Sequence, residues 1–286
     1  SRRQRQMCIR DSVNPSELPL AFMDVGKNQW DTRYNIGYWL WELEEFPKEW
    51  LPAFHLLDEV WTPSEFISQN LRKYTDKPVY TLPYSVTAPA DAAYDRDYFH
   101  LPKDRFLFLM MYDSGSGMVR KNPLGAIEAF KQAFDRENKQ VGLVIKMNRS
   151  EQSEKDIENI RTKLDGYDNI YFICETLPKT AVNSLTACVD VFVSLHRAEG
   201  FGLVMAEAML LGTPVIATNW SANTEFMNWE SACMVDYKKT AIEQDIPPFK
   251  KGYHWAEADV AQAAAYMKRL CEDSAFYEQK KAAAGA

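Results

Sequence analysis

Cysteines and long apolar runs are both scarce in this sequence of 286 residues. The five cysteines are widely separated and form no CxxC pair, which argues against a disulfide framework or a zinc knuckle and indicates a reducing compartment. The longest apolar stretches, such as residues 106–112, fall far short of the roughly 20 residues that cross a bilayer, and no signal peptide precedes them. We therefore expect a soluble, cytoplasmic protein, with peripheral association at the inner face of the membrane left open.

An excess of basic residues is also absent. The 33 Lys and Arg residues against 40 Asp and Glu residues give a net charge of −7 at pH 7, which argues against a general nucleic-acid binder because such proteins need a basic face. Residues 1–12 contain four arginines and lack helical or strand periodicity. We predict that they are a non-native or disordered leader rather than a basic binding arm.

From Arg105 onward, short apolar runs alternate with helical patterns. The predicted strands are residues 106–111, 141–147, 169–173, 189–195, 214–218 and 232–235. One predicted helix begins at Pro123, and the others cover residues 151–164, 180–188, 203–211, 222–228 and 256–271. Repeated βα units predict an α/β fold, a doubly wound parallel sheet of the Rossmann-like type with helices on both faces. In such sheets ligands bind beyond the carboxyl ends of the strands.

The segment before Arg105 has a different pattern. It contains an aromatic-rich stretch over residues 34–43, two predicted helices over 47–57 and 63–74, and a predicted strand over 79–82. We predict a partial N-terminal α/β domain over residues 13–88, a linker over 89–104, a Rossmann-like domain over 105–272 and a truncated C-terminal helix or tail over 273–286.

The most informative motif joins a predicted strand to a helix. The strand delivers Glu199 to its carboxyl end, and Gly200 and Gly202 then allow a tight turn and close approach to a ligand. A helix starts at Leu203, so its free N–H groups are suited to a phosphate, and Glu207 in its second turn can accept hydrogen bonds from sugar hydroxyls. Geometry alone leaves an alternative open, because this turn occurs in every doubly wound fold and Glu207 could be a solvated helix residue.

Several motifs together resemble one enzyme family. Residues 199–209 followed by 212–216 resemble the glutamate–seven–glutamate signature of the family 4 retaining glycosyltransferases, which have the GT-B architecture. Residues 113–123, followed by Glu128-Ala-Phe, are similar to the FD…S…RKNP…EAF segment of a bacterial cell-surface polysaccharide branch. Residues 35–42 and 58–64 resemble the end of the N-terminal domain of that branch.

The resemblance implies a role for each matching residue. The implied catalytic residue is Glu199, which would contact the hydroxyls of the transferred sugar, and Arg120 and Lys121 would neutralise the diphosphate of the donor. The other implied donor-binding residues are Ser116, the base-flanking pair Thr176 and Leu177, the backbone of Gly200, Phe201, Gly202 and Leu203, and Glu207 at the ribose. For Arg120 and Lys121 the alternative is a solvated basic pair at a helix start, where positive charge opposes the helix dipole.

The resemblance implies a retaining hexosyltransferase of bacterial polysaccharide biosynthesis. Its partners would be a nucleotide-sugar donor and a glycan or lipid-linked acceptor, and it would need neither a cofactor nor a metal. The pair Asp95 and Asp97 lies in the polar linker, so we interpret it as a loop rather than a metal-binding DxD motif. The alternatives are a GT-B nucleotide-sugar epimerase or phosphorylase, or, because the resemblance reaches only a small part of the family's N-terminal half, a non-catalytic nucleotide-sugar-binding module.

Other residues depart from the family pattern or stay ambiguous. Tyr112-Asp113 stands where the family usually has Gly-Arg. His55, His100 and His254 match no motif and are interpreted as structural or surface residues, while the role of His196 is open. An aromatic cluster is compatible with a carbohydrate-stacking platform, with core packing, or with the exposure that a missing part of the N-terminal domain would cause; its members are Trp30, Tyr34, Tyr38, Trp39, Trp41 and Trp50.

Overall fold

The computed structural model describes residues 13–113, 118–148 and 153–285, so the predicted leader lies outside the described residues. The described chain forms two compact units. The first unit contains the residues up to Ser85 together with Glu199–Phe201 and Ala241–Trp255. The second contains Val86–Ala198, Gly202–Thr240 and the residues from Ala256 onward.

This division differs from the linear order of predicted domains. The predicted linker belongs to the second unit, because Phe99 and Leu101 are buried in its core and Arg96 donates to the Asp190 carboxylate at 2.9 Å. The predicted tail forms a helix whose Phe276 is also buried there. Two segments of the later chain, by contrast, belong to the first unit, which a division along the sequence cannot show.

The first unit contains a three-stranded parallel sheet in the order β1-β2-β3. The strands are β1 (Ile36–Tyr38), β2 (Glu59–Thr62) and β3 (Val79–Thr81). The helices are α1 (Leu18–Val25), α2 (Lys27–Trp30) and α3 (Glu65–Leu71), with a 3-10 helix over Lys48–Leu56. The predicted helix over 47–57 is therefore a 3-10 helix; it contains Pro52, which has no N–H to donate to the α-helical pattern.

Aromatic side chains form much of the core of the first unit. Trp39 and Trp41 are almost completely buried. The ring centroids of Trp39 and Phe54 lie 4.8 Å apart, and those of Trp41 and Trp50 lie 5.0 Å apart. Core packing is therefore the role of Trp39 and Trp41, rather than carbohydrate stacking.

The second unit is built on a six-stranded sheet in which every neighbouring pair is parallel, in the order β6-β5-β4-β7-β8-β9. The strands are β4 (Phe106–Asp113), β5 (Val141–Asn148), β6 (Ile170–Ile173), β7 (Val191–Ser194), β8 (Val215–Thr218) and β9 (Cys233–Val235). The chain also forms a two-stranded sheet of β10 (Tyr237–Ala241) and β11 (His254–Ala258).

Helices cover both faces of the six-stranded sheet. Along β4, Phe108 and Met110 face one buried cluster while Leu107 and Leu109 face another, which confirms the predicted doubly wound α/β fold. The helices are α4 (Met118–Lys121), α5 (Pro123–Ala133), α6 (Ser153–Lys163), α7 (Lys179–Cys188), α8 (Leu203–Leu210), α9 (Val260–Glu272) and α10 (Ser274–Ala284), with a 3-10 helix over Ala222–Glu225.

The last long helix begins later than the sequence predicts. Residues 256–258 continue β11, and α9 starts at Val260 because the Asp259 side chain caps it by accepting from the Gln262 N–H at 3.0 Å. Among the described residues, no helix has the length and apolar character needed to span a membrane.

Candidate functional site

The strand order of the second unit reverses between β4 and β7. These two strands are neighbours in the sheet, yet the chain leaves them toward opposite sides, to β5 after β4 and to β8 after β7. In open α/β sheets the crevice at such a reversal, beyond the carboxyl ends of the strands, is where ligands bind. The residues that follow β4 and β7 are therefore the candidate ligand-binding residues.

Helix α4 brings the two predicted diphosphate-binding cations close to the end of β4. Arg120 is buried, with 6% of its surface exposed, and its Nη1 donates to the Ala198 carbonyl at 2.8 Å. Lys121 is partly exposed. The alternative of a solvated basic pair at a helix start is therefore wrong, because both residues lie in the last turn of α4 and Arg120 is not solvated. The roles of Arg120 and Lys121 at a diphosphate stay predictions.

Asn122 fixes the exit from α4. Its backbone is left-handed, with φ +51°, and its Oδ1 accepts from the Gly125 N–H at 3.1 Å. Its Nδ2 donates to the Leu195 carbonyl at 2.9 Å, next to β7. The segments that follow β4 and β7 are thus tied together by side-chain hydrogen bonds, which the sequence did not reveal.

Gly202 provides the turn into α8 that the sequence predicts. Its φ of +93° lies in the left-handed region, and a Cβ there would approach the Met205 Cε to 2.7 Å. Helix α8 then begins at Leu203, as predicted, and the Gly202 carbonyl accepts from the Met205 N–H at 3.0 Å. The N–H groups of Leu203 and Val204 belong to the first turn, which has no intrahelical acceptor, so they are suited to an anion.

Glu207 is buried and is held by a residue that the sequence analysis missed. Its Oε2 lies 2.5 Å from the Lys179 Nζ, and its side chain is only 6% exposed, against 51% for the side chain of Lys179. Glu207 is therefore not a solvated helix residue. Lys179 is the first residue of α7 and follows the exposed Thr176 and the partly buried Leu177. A basic residue two positions after that predicted base-flanking pair was the sequence signal for this contact.

Lys146 is a second cation that the sequence analysis missed. It is 3% exposed, near the carboxyl end of β5, and its Nζ donates to the Met147 carbonyl at 3.2 Å. Burial lowers the pKa of its ammonium group, and the nearby side chains of Cys174, Glu175 and Asp113 oppose this change. A single lysine within an otherwise apolar strand was the signal for it.

His196, whose role the sequence left open, is completely buried. Its Nε2 lies 3.0 Å from the Asn223 Oδ1, and its Nδ1 lies 3.0 Å from the Ser194 Oγ. Its carbonyl accepts from the Thr218 Oγ1 at 2.7 Å. The histidine therefore joins the ends of β7 and β8.

Three predicted site residues belong to the first unit. Glu199 is buried, with 7% exposed, and the Gly200 carbonyl accepts from the Ser64 Oγ at 2.8 Å. The Phe201 ring lies 5.1 Å from the ring of Tyr84. Gly200 does not have a left-handed backbone; a Cβ there would lie 3.4 Å from the Ile67 Cδ1. Only Gly202 of the two glycines is thus required by backbone conformation.

Two further predictions concern Ser116 and the pair Asp95 and Asp97. Ser116 lies outside the described residues. Asp95 accepts from the Tyr98 N–H and Asp97 pairs with Lys103, so both residues lie in a turn. Within residues 13–113, 118–148 and 153–285, no group of three or more His, Cys, Asp or Glu side chains is arranged to hold a metal.

The sequence matches one family and the fold matches solved enzymes. Residues 102–285 match the family described as glycosyl transferases group 1. No curated protein has a matching sequence. A structure of Anabaena HepE in complex with UDP and glucose superposes with a TM-score of 0.69 at 14% identity, covering 95% of this chain and 70% of HepE.

Two further structures have the same fold. Sucrose-phosphate synthase from Thermosynechococcus elongatus superposes with a TM-score of 0.71 at 16% identity, covering 95% of this chain and 66% of that enzyme. The pneumococcal O-GlcNAc transferase GtfA, in complex with UDP and GlcNAc, superposes with a TM-score of 0.63 at 14% identity, covering 90% of this chain and 49% of GtfA. This chain thus spans between about half and seven tenths of the length of these three structures.

Proposed function

The chain belongs to the group 1 glycosyl transferases, and from this premise we propose that it transfers a hexosyl group from a nucleotide-diphosphate sugar to a hydroxyl of a glycan or lipid-linked acceptor. The transfer proceeds with retention, as in family 4, and serves bacterial cell-surface polysaccharide biosynthesis in the cytoplasm, at the inner face of the membrane. The HepE and GtfA structures contain UDP together with a sugar, which supports a nucleotide-sugar donor here.

One observation carries the proposal. At the strand reversal of the second unit, α4 ends in two consecutive cations, and the hydrogen bond from the buried Arg120 to the Ala198 carbonyl anchors this helix. The diphosphate leaving group develops negative charge as the glycosidic bond breaks, and preorganised cations stabilise that charge most when they do not have to reorganise. Lys121 is the more accessible of the two cations and is assigned the direct contact.

The other residues bind different parts of the donor. The first N–H groups of α8 bind the phosphate, in line with the positive end of a helix dipole. Glu207, held by Lys179, accepts from the ribose hydroxyls, and Thr176 and Leu177 flank the base. Glu199 orients the transferred sugar as positive charge develops at its anomeric carbon. None of these steps uses a metal or a covalent nucleophile.

The diphosphate role is tested by titration calorimetry with UDP, GDP and dTDP. Lys121→Ala removes a charge-assisted hydrogen bond and should weaken binding of the preferred diphosphate by about 10- to 100-fold. Lys131→Ala, on the adjacent helix α5, makes the same change in net charge and should leave the affinity unaltered. Equal affinities of wild type and Lys121→Ala would remove Lys121 from the site.

The reaction itself is tested by product analysis. Incubation with the preferred nucleotide sugar and a glycan acceptor should yield an extended acceptor and free nucleoside diphosphate. Release of an epimerised sugar, or a requirement for inorganic phosphate, would assign an epimerase or a phosphorylase instead. Binding of the donor without turnover would assign a nucleotide-sugar-binding module.

A further inference from the structure

Helix α4 cannot satisfy its own carboxyl-terminal carbonyls. It contains only four residues, and the helical partner of the Val119 carbonyl would be the N–H of residue 123, which is a proline. The Asn122 N–H does reach the Met118 carbonyl at 3.0 Å, but Asn122 is left-handed and the helix ends there. The position of α4 therefore depends on donors from elsewhere in the chain.

Arg197 supplies these donors from the segment that follows β7. Its Nη1 donates to the Val119 carbonyl at 2.6 Å, and its backbone N–H donates to the Arg120 carbonyl at 2.8 Å. A guanidinium at this end also suits the negative end of the helix dipole. Arg197 thus replaces the donor that Pro123 removes.

Arg197 is itself fixed by β11. Its Nε and Nη2 donate to the two carboxylate oxygens of Glu257 at 2.6 and 2.8 Å, and its carbonyl accepts from the Ala256 N–H at 2.9 Å. Its side chain is 18% exposed. A bidentate pair fixes direction as well as distance, and the single ammonium of a lysine cannot reproduce it.

We propose that Arg197 is a positioning residue for the diphosphate cations, with Glu257 as its anchor. Arg197 holds α4 through the Val119 and Arg120 carbonyls, and so it sets where the Lys121 ammonium group stands. It acts through α4 and does not touch the donor. This inference rests on the proposed function, because it assumes that α4 binds the diphosphate.

The test separates diphosphate binding from the rest of the nucleotide. The affinities of UDP and uridine are measured by calorimetry for wild type and Arg197→Lys; GDP with guanosine, or dTDP with thymidine, replaces them if wild type prefers that diphosphate. UDP affinity should fall about tenfold, the factor expected for one misplaced charge-assisted hydrogen bond, while uridine affinity stays within about twofold. Glu257→Gln keeps the Val119 contact but loosens its anchor, so it should give a smaller loss in the same direction.

Arg96→Lys is the matched control. Arg96 is 17% exposed, lies in the same unit, and pairs with Asp190 while donating to backbone carbonyls. Its substitution should lower the melting temperature without changing the ratio of UDP to uridine affinity.

The possible outcomes distinguish the positioning role of Arg197 from the proposed function. Equal losses of UDP and uridine affinity, or no loss of either, would make Arg197 merely structural and overturn this inference, while the proposed function would stand. Wild type that binds none of UDP, GDP and dTDP would overturn the proposed function, and this inference with it. If Arg197→Lys does not fold, Glu257→Gln decides the matter by the same ratio.

Discussion

The interior of the first unit is rich in buried tryptophans, whereas the second unit, besides its buried phenylalanines, buries several charged side chains. Trp39 and Trp41 represent the first kind, and Arg120, Lys146 and Glu207 the second. An aromatic core contributes stability through buried apolar area. Buried charges cost stability unless they are paired, and they concentrate where a ligand is to be bound. Substitutions in the first interior therefore test aromatic packing, and substitutions in the second can also test buried charge.

The largest expected effect would test the aromatic interior of the first unit. Trp41→Ala removes a buried ring and the hydrogen bond from its Nε1 to the Glu45 carbonyl, so the free energy of unfolding should fall by about 3–5 kcal/mol. Urea unfolding followed by tryptophan fluorescence reports this, because six of the eight tryptophans belong to the first unit. Those six are Trp30, Trp39, Trp41, Trp50, Trp61 and Trp255.

Trp229→Ala is the control for that experiment, because this side chain of the second unit is 49% exposed. Its unfolding free energy should change by less than about 0.5 kcal/mol. A comparable loss in both variants would show that burial of Trp41 does not govern the stability of the first unit.

An intermediate effect would separate the two glycines of the predicted turn. Gly202→Ala forces a side chain into a left-handed conformation and should cost about 2 kcal/mol of unfolding free energy. Gly200→Ala meets no such strain, and its closest contacts are at 3.4 Å, so its effect should stay within about 0.5 kcal/mol of zero. Urea unfolding followed by circular dichroism measures both, and equal costs would contradict the assignment of the turn to Gly202.

The smallest expected effect on the free energy of unfolding is that of replacing Lys146. This substitution tests the buried charge of the second unit. Its pKa is lowered in the folded protein, so the unfolded chain binds more protons between that lowered value and the ordinary lysine pKa of about 10.4. Unfolding free energy contributed by this group therefore rises with pH within that window. Lys146→Met should remove this rise, and at pH 7 it should leave stability equal to wild type or higher by up to about 1 kcal/mol.

The measurement is urea unfolding of wild type and Lys146→Met at pH 7 and pH 9.5. Lys139→Met, at an exposed residue before the same strand, should retain the pH dependence of wild type. If Lys146→Met retains it as well, the buried ammonium group is not the source of the pH dependence.

Local patterns were sufficient for most of the second unit. Continuous apolar runs identified all six strands of its sheet, because strands covered on both faces must be apolar throughout. The start of α8 was predicted from Gly202, which has the conformation that only glycine adopts without strain. In the first unit, β3 was predicted, but β1 and β2 were missed, since runs of three or four residues show little period and do not identify a strand consistently.

The candidate site was less accessible to such patterns. Lys179 reaches Glu207 across 28 positions, and Arg197 reaches Val119 across 78. Neither pair has a spacing rule, because each depends on how separate elements pack. The first-unit membership of Glu199 has the same origin, since residues on either side of it belong to the second unit.

Apolar periodicity and the glycine at position 202 were thus enough to specify a doubly wound sheet and the junction where an acid precedes a helix start. The family resemblance also named Arg120 and Lys121, whereas Lys146, Lys179 and the contacts that hold these side chains were seen only in the tertiary structure. A hydrogen bond of a few ångströms joins groups that the chain separates by many residues, and only the folded backbone brings such groups within reach. Pro123 illustrates the division, because its missing N–H can be read from the sequence while its replacement by Arg197 can be seen only in the fold.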